Sequence, residues 1–377
     1  MNTNNNDKGV KVVIAIAIVV FVLLLGVGVL SQVDLKKIFK NETINITKTE
    51  KEVTVTDEGI ADAVSKLYDA TVIVEVGNSK EDLTGWGSGV VYDTDDKYAY
   101  ILTNHHVVEG GKYILIVYTD DSEVQGELVG SDEIQDIAVV KVPVETIKAK
   151  AEIGSSNDLE LGDTVFAIGT PVSLSYKFTV TRGILSGKDR MCQMRSSNSN
   201  SYGYSQGNSW YMSLLQIDAT INSGNSGGPL ANSNGQLVGI NNSKLSSSYS
   251  SVSIENMGFA IPIEDALNVA RQLREDGKVT RPFFGVSVSD IDSAERYNIT
   301  VDKSVTGGAL ITSVENDSTA SSAGLKKGDI VTKIGDYEVK NYKYFRYYLY
   351  RYSVGDKVSI TYIRDGKEKT IDVTLKS

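Results

Sequence analysis

Short runs of β-branched and aromatic residues, broken every few positions by Gly, Asp, Asn or Ser, set the strongest limit on how this chain can fold. They are Ala70 to Val76, Gly89 to Tyr92, Tyr98 to Thr103, Tyr113 to Tyr118, Ile137 to Val142, Thr164 to Ile168, Phe178 to Leu185, Leu214 to Ile217 and Leu237 to Asn241. Such runs suit pleated, half-buried strands, and their number at this spacing predicts an antiparallel barrel or paired barrels. A short amphipathic helix opens the region, with Asp57 as N-cap and Ile60, Val64, Leu67 and Tyr68 at helical spacing. At 377 residues the chain has room for two or three domains, and 41% hydrophobic residues supply ordinary cores. The single cysteine, Cys192, excludes an internal disulfide, and no ligand spacing for a structural zinc is present, so packing alone must hold the fold. A net charge of −10 without a long Lys/Arg cluster argues against nucleic acid as a partner.

The N-terminus follows a different rule. Val12 to Leu30 is an uncharged apolar run of nineteen residues, near the length of a membrane-crossing helix, and is expected to be a transmembrane anchor. Residues 1–11 are too few for a domain. Residues 31–56 are polar and lack an apolar period, which predicts a linker or stalk.

The chemistry gathers at three points. The only histidines, His105 and His106, are adjacent at the end of a strand-like run, where neighbouring side chains face opposite ways, so only one can look into a given cleft. Ser226 lies in Gly224-Asn225-Ser226-Gly227-Gly228-Pro229, where glycines permit a tight turn whose N–H groups converge. In acyl transfer the turn Gly224, Asn225 and Ser226 would form an oxyanion hole, with the N–H groups of Gly224 and Ser226 binding the developing charge. A serine needs a base, and the base needs a carboxylate to hold its tautomer. Asp136, just before Ile137-Ala138-Val139-Val140, sits where a strand enters the core; Asp132 and Glu133 are alternatives in what reads as an exposed loop. A metal site is disfavoured, because ligands on one strand face would stand two apart and no third ligand is near.

Thr103-Asn104-His105-His106-Val107-Val108, Asp136-Ile137-Ala138-Val139-Val140, Gly224-Asn225-Ser226-Gly227-Gly228-Pro229-Leu230 and Gly258-Phe259-Ala260-Ile261-Pro262, in this order, resemble the HtrA/Deg family of trypsin-like serine proteases. The resemblance implies a mainly β, chymotrypsin-like double barrel over 57–277. It selects His106, before Val-Val, as the base, Asp136 as its carboxylate and Ser226 as nucleophile. It implies hydrolysis of peptide bonds in unfolded or damaged proteins outside the membrane, with residues 1–11 cytoplasmic, no cofactor, and a preference for a small or medium apolar residue at the cleavage position. A homotrimer or higher homo-oligomer is expected on the same ground. A non-proteolytic chaperone or peptide-binding scaffold is the rival reading. Gly169-Thr170-Pro171-Val172-Ser173 departs from the family's Gly-Asn-Pro-x-Gly turn. Arg190 to Trp210, rich in Ser, Asn, Gly and Tyr, falls where the family has a regulatory loop and suggests mobility, and Asn242 to Ser253 resembles the loop that shapes the specificity pocket.

Pro262 to Gly277 has a helical apolar period that closes on glycine, and Lys278 to Pro282 connects it to a new unit. Gly308 to Val314 and then Ser321-Ser322-Ala323-Gly324-Leu325-Lys326-Lys327-Gly328-Asp329-Ile330-Val331 resemble a PDZ domain, which would occupy 283–377. By that resemblance Phe283, Phe284, Gly285 and Val286 form the loop whose N–H groups hold a peptide's C-terminal carboxylate and so regulate activity, with the peptide added as a strand. Tyr342, Phe345, Leu349 and Tyr352 recur at helical spacing and would line or support the groove, about half of them as core.

Overall fold

The computed structural model describes residues 57–195, 209–243 and 256–377. The anchor at 12–30, the linker at 31–56, and the parts of the two expected loops at 196–208 and 244–255 lie outside the described residues. Among the described residues no helix is long and apolar enough to cross a membrane.

Helix α1 (Asp57–Tyr68) buries Ala63 and Leu67 and leads into six strands: β1 (Thr71–Ser79), β2 (Asp82–Thr94), β3 (Tyr98–Thr103), β4 (Tyr113–Val117), β5 (Glu123–Asp132) and β6 (Ile137–Pro143). Between β3 and β4 lies one helical turn, α2 (His105–Val108). The strands close into a barrel in the order β1-β2-β3-β6-β5-β4. Inside it Val72, Val74, Ile101, Ile116 and Val140 are fully buried. A second closed barrel, ordered β10-β11-β12-β9-β8-β7, is built from β7 (Thr164–Gly169), β8 (Thr179–Arg195), β9 (Ser209–Ile217), β10 (Pro229–Asn232), β11 (Leu237–Asn241) and β12 (Gly258–Pro262). Closure leaves no unpaired strand edge, and it lets short polar-tipped strands hold together without disulfides.

Some features depart from the sequence reading. β5 was not among the expected strands, since its face is half charged and glycine-bearing, yet it is paired on both sides, to β4 and to β6. The stretch beginning at Arg190 was expected to be a loop. Instead Arg190–Arg195 pairs with Ser209–Leu214 as a ribbon, anchored where Cys192 and Met212 turn into the core.

Helix α3 (Ile263–Asp276) follows β12 and lays Ala266, Val269, Ala270 and Leu273 on the core shared by both barrels. It ends at Gly277, whose left-handed φ of 70° lets its N–H reach back to Leu273 O. The last unit has a sheet ordered β13-β14-β15-β17-β18, with β13 (Val286–Asp290), β14 (Ala309–Val314), β15 (Ile330–Ile334), β16 (Tyr337–Glu338) beside β15, β17 (Lys357–Arg364) and β18 (Lys367–Thr374). Helices α4 (Thr319–Ser322) and α5 (Tyr342–Leu349) cover it, and Phe284, Ile311, Phe345, Leu349 and Ile360 form its own core. Replacing such a residue by alanine, as in Phe345→Ala, would cost about 3–5 kcal/mol.

Candidate active site

His105 and His106 do not end a strand. β3 stops at Thr103, and Asn104, in extended conformation, starts the α2 turn, so the two imidazoles diverge as helical neighbours do. Nδ1 of His105 meets Ser131 Oγ at 2.9 Å, whereas Nδ1 of His106 lies 2.7 Å from Asp136 Oδ2. Because a carboxylate only accepts, the His106 Nδ1 carries a proton directed at Asp136.

Asp136 has a left-handed backbone (φ 51°), a conformation Asp tolerates better than most residues. Three contacts fix it. Asn104 Nδ2 donates to its carbonyl at 2.8 Å, the His106 N–H donates to Oδ1 at 3.0 Å, and Asn242 Nδ2 donates to Oδ2 at 2.6 Å. Asn242, at the end of β11 and fully buried, was not picked out in the sequence; it is 106 positions from its partner and no local pattern marks it. Asp132 is no exposed loop residue either. It is buried, takes the Gln135 N–H at 2.8 Å, and is held by both terminal nitrogens of Arg281 at 2.7 and 2.8 Å. The turn it caps delivers Asp136.

Ser226 sits at the seam between barrels, and its turn is clamped by β2. The Ser88 N–H donates to Ser226 O at 2.8 Å, and Ser88 Oγ donates to Gly224 O at 2.8 Å while accepting from Thr170 N–H at 3.1 Å. Gly224 has φ 98°, and a Cβ there would lie 2.0 Å from Thr170 O, so no side chain fits. Asn225 parts company with its neighbours: its N–H is used on Asn222 O at 3.0 Å. The N–H groups of Gly224 and Ser226 make no hydrogen bond among the described residues and remain for an anion. Of the departing loop, Thr170 O accepts the Trp86 indole N–H at 3.2 Å and Val172 N–H donates to Ser223 O at 2.7 Å. A bond from Ser173 N–H to Pro171 O closes a γ-turn around Val172 at φ 65°, the strained hand, next to the Ser226 turn.

Ser226 Oγ does not bond His106. It lies 2.6 Å from Ser243 Oγ and takes the Ser243 N–H at 3.1 Å. Among the described residues no cluster of His, Cys, Asp or Glu could hold a metal ion.

In the last unit Phe283, Phe284, Gly285 and Val286 play different parts. Phe283 is half-exposed and its N–H is used on Lys376 O at 2.8 Å. Phe284 is buried, edge-on to Phe345 at 5.6 Å. Gly285 adopts φ 74° against Ser318, and Val286 begins β13, an edge strand open to an added one. With the Phe283 N–H used on Lys376 O, those of Phe284 and Gly285 make no hydrogen bond among the described residues. Of the expected aromatic stripe, Phe345 and Leu349 are core, Tyr342 and Tyr352 pack against that core from partly buried positions, and Tyr342 also meets Tyr211 of β9, hydroxyl to hydroxyl at 2.9 Å.

Comparison with known proteins agrees with this geometry. Residues 87–240 match the trypsin-like peptidase domain family and residues 282–375 match the PDZ domain family. The serine protease Do-like HtrA of Lactococcus lactis subsp. lactis (strain IL1403) is 37% identical over 78% of this chain and 71% of that protein. The serine protease Do-like HtrB of Bacillus subtilis (strain 168) is 37% identical over 84% of this chain and 70% of that protein. Among solved structures, the HtrA-type protease AlgW with a tripeptide superposes with a TM-score of 0.63 at 30% identity, covering 84% of this chain and 96% of that one. A double barrel with a serine turn at its seam, a following PDZ domain and relatives of this similarity place the chain in the HtrA/Deg family of serine proteases, and it is a serine endopeptidase of that type.

Proposed function

We propose that the chain is a membrane-anchored endopeptidase in which His106 is the general base, Asp136 its orienting carboxylate and Ser226 the nucleophile, acting on unfolded or damaged proteins outside the membrane. The observation that carries the reading is the 2.7 Å contact between His106 Nδ1 and Asp136 Oδ2 at the same seam as a serine whose turn leaves two N–H groups unused. In this mechanism Nε2 of His106 takes the Ser226 proton as Oγ bonds to the scissile carbonyl carbon. The carbonyl electrons move onto oxygen, and the N–H groups of Gly224 and Ser226 hold the resulting charge. His106 then returns the proton to the leaving amine, and water repeats the sequence on the acyl-enzyme. Asp136 stays ionised throughout, keeping the imidazole in place and offsetting its charge.

The apolar run Val12 to Leu30 supports anchoring in the cell membrane, and the resemblance to the HtrA/Deg family carries the expectation that the protease and PDZ domains lie on the extracytoplasmic side. The open edge of β13 beside the Phe284 and Gly285 N–H groups supports binding of peptide C-termini that regulate cleavage. Assembly as a homotrimer or larger homo-oligomer belongs to the same proposal. The test is digestion of an unfolded model protein by the full chain and by Ser226→Ala. Cleavage by the parent alone supports the reading; cleavage by neither, with C-terminal peptides present, turns the chain into a peptide-binding scaffold, and equal cleavage by both removes Ser226 from the mechanism.

A further inference from the structure

Ser243 is the first residue beyond Asn242, and its N–H and hydroxyl both point at one atom. Its N–H reaches Ser226 Oγ at 3.1 Å and its Oγ lies 2.6 Å away, while His106 makes no bond to that oxygen. A hydroxyl has one proton and two lone pairs. The Ser243 N–H takes one lone pair. If Ser226 donates to Ser243 Oγ, its proton points away from His106 Nε2. If instead Ser243 donates, the second lone pair is engaged and none is left for a carbonyl carbon. Either arrangement has to break before attack.

We propose that Ser243 is a positioning residue that parks the Ser226 hydroxyl in a resting orientation, off His106, and releases it when the site is occupied. The inference rests on Ser226 being the nucleophile. It assigns the side-chain bond, and not only the backbone, a cost on the reaction, because the N–H alone leaves the Ser226 proton free to swing to Nε2.

The probe is a fluorophosphonate, whose phosphorus bonds to the serine oxygen as fluoride leaves and the serine proton passes to His106. With the full chain, Ser243→Ala should be labelled about 3–10-fold faster than the parent, the range that loss of one neutral hydrogen bond allows. Ser243→Thr, which keeps the hydroxyl, should return to the parent rate, and the melting temperatures of all three should agree. A purely structural role would not separate Ala from Thr in this way. An Ala rate equal to or below the parent's, or a Thr rate matching Ala's, overturns the proposal. Should Ser243→Ala fail to fold, Ser243→Val against Ser243→Thr, nearly equal in shape, poses the same question. Ser226→Ala is the separate control: labelling that persists in it sinks the nucleophile assignment, whereas labelling that needs Ser226 but ignores Ser243 sinks only the latch.

Discussion

Asn242 carries the sharpest test at the scale of single residues. Its amide is one of three donors on the Asp136 carboxylate, and it bonds the same Oδ2 that faces His106. Removing a hydrogen bond to a charged group costs about 1.5–3 kcal/mol, so Asn242→Ala should lower kcat/KM roughly 10- to 100-fold with little change in KM. A fall confined to KM would mean that the amide shapes the substrate cleft and leaves the triad alone. Gly224→Ala tests the neighbouring turn. Its Cβ would collide with Thr170 O at a φ that L side chains avoid, so the turn must move and the N–H groups with it. Loss of one such donor costs about a hundred- to a thousand-fold in kcat. Peptide hydrolysis falling by less than tenfold would show that the turn tolerates the methyl and that the oxyanion is held elsewhere. His106, Asp136 and Ser226 were legible because each lies in a short motif whose neighbours set its backbone. Asn242 and Ser88 were not, because each becomes relevant only when β11 or β2 is brought against a segment more than a hundred positions away.

Elements were legible where apolar periodicity was strong and local. Helix α3, with its glycine stop, and α5, with Phe345 and Leu349 inward, follow from spacing alone. β5 did not, since its ten residues earn their conformation from ladders on both sides. The turn after β5 is the element that presents Asp136, and Arg281 is its brace: a bidentate, mostly buried pair with Asp132, the guanidinium 5.3 Å from the Tyr350 ring. Arg281→Ala strands the Asp132 carboxylate and should lower stability by about 3 kcal/mol; Arg281→Lys should restore little, because an ammonium cannot make the paired contact. Denaturant unfolding measures both, and full recovery by lysine would refute the bidentate argument. The start of α3 has its own brace in Glu264, which accepts from Ser155 Oγ, Ser156 N–H and Ser156 Oγ. Burial pushes its carboxyl up, but these donors together bring it below the usual 4.5. A depressed pKa stabilises the fold above the unfolded value and loses that contribution as pH falls through the folded one. Glu264→Gln should therefore cost about 1 kcal/mol at neutral pH, at the low end because the group is half open to solvent, and the gap should close as pH drops below 4.5. A gap that stays constant with pH would mean that shape, not charge, matters there.

At the scale of the whole molecule, the protease barrels and the PDZ domain meet over a small polar cluster. Asp265, fully buried in the first turn of α3, takes the Tyr347 hydroxyl at 2.5 Å and pairs with Arg351 at 3.0 Å, while Asn268 Nδ2 donates to Arg351 O at 3.0 Å. Tyr211 and Tyr342 add an edge-on ring contact at 5.7 Å between β9 and α5. These pairings were not readable in the sequence, because each partner looks like an ordinary surface residue until the domains dock. Burial, aided slightly by Glu264, raises the Asp265 carboxyl above its usual 3.8, with Arg351 and Tyr347 pulling the other way without winning. Burial and the adjoining carboxylate also hold the Tyr347 hydroxyl well above its usual range, so it remains a donor. An acid whose pKa is higher docked than free favours docking below the free value, and that contribution is lost as pH rises through the docked one. Arg351→Met removes the main downward pull, so the docked pKa climbs further above the usual carboxylate value and the domains should separate as pH rises through it. Small-angle scattering against pH reads this as a growing radius of gyration. Arg351→Met combined with Asp265→Asn has no charge left to bury and should stay docked throughout. Opening of the single variant that does not depend on pH would show that Arg351 acts by stacking over Tyr337 and Tyr347, which shapes the PDZ face that meets α3, and that the buried carboxylate is a bystander.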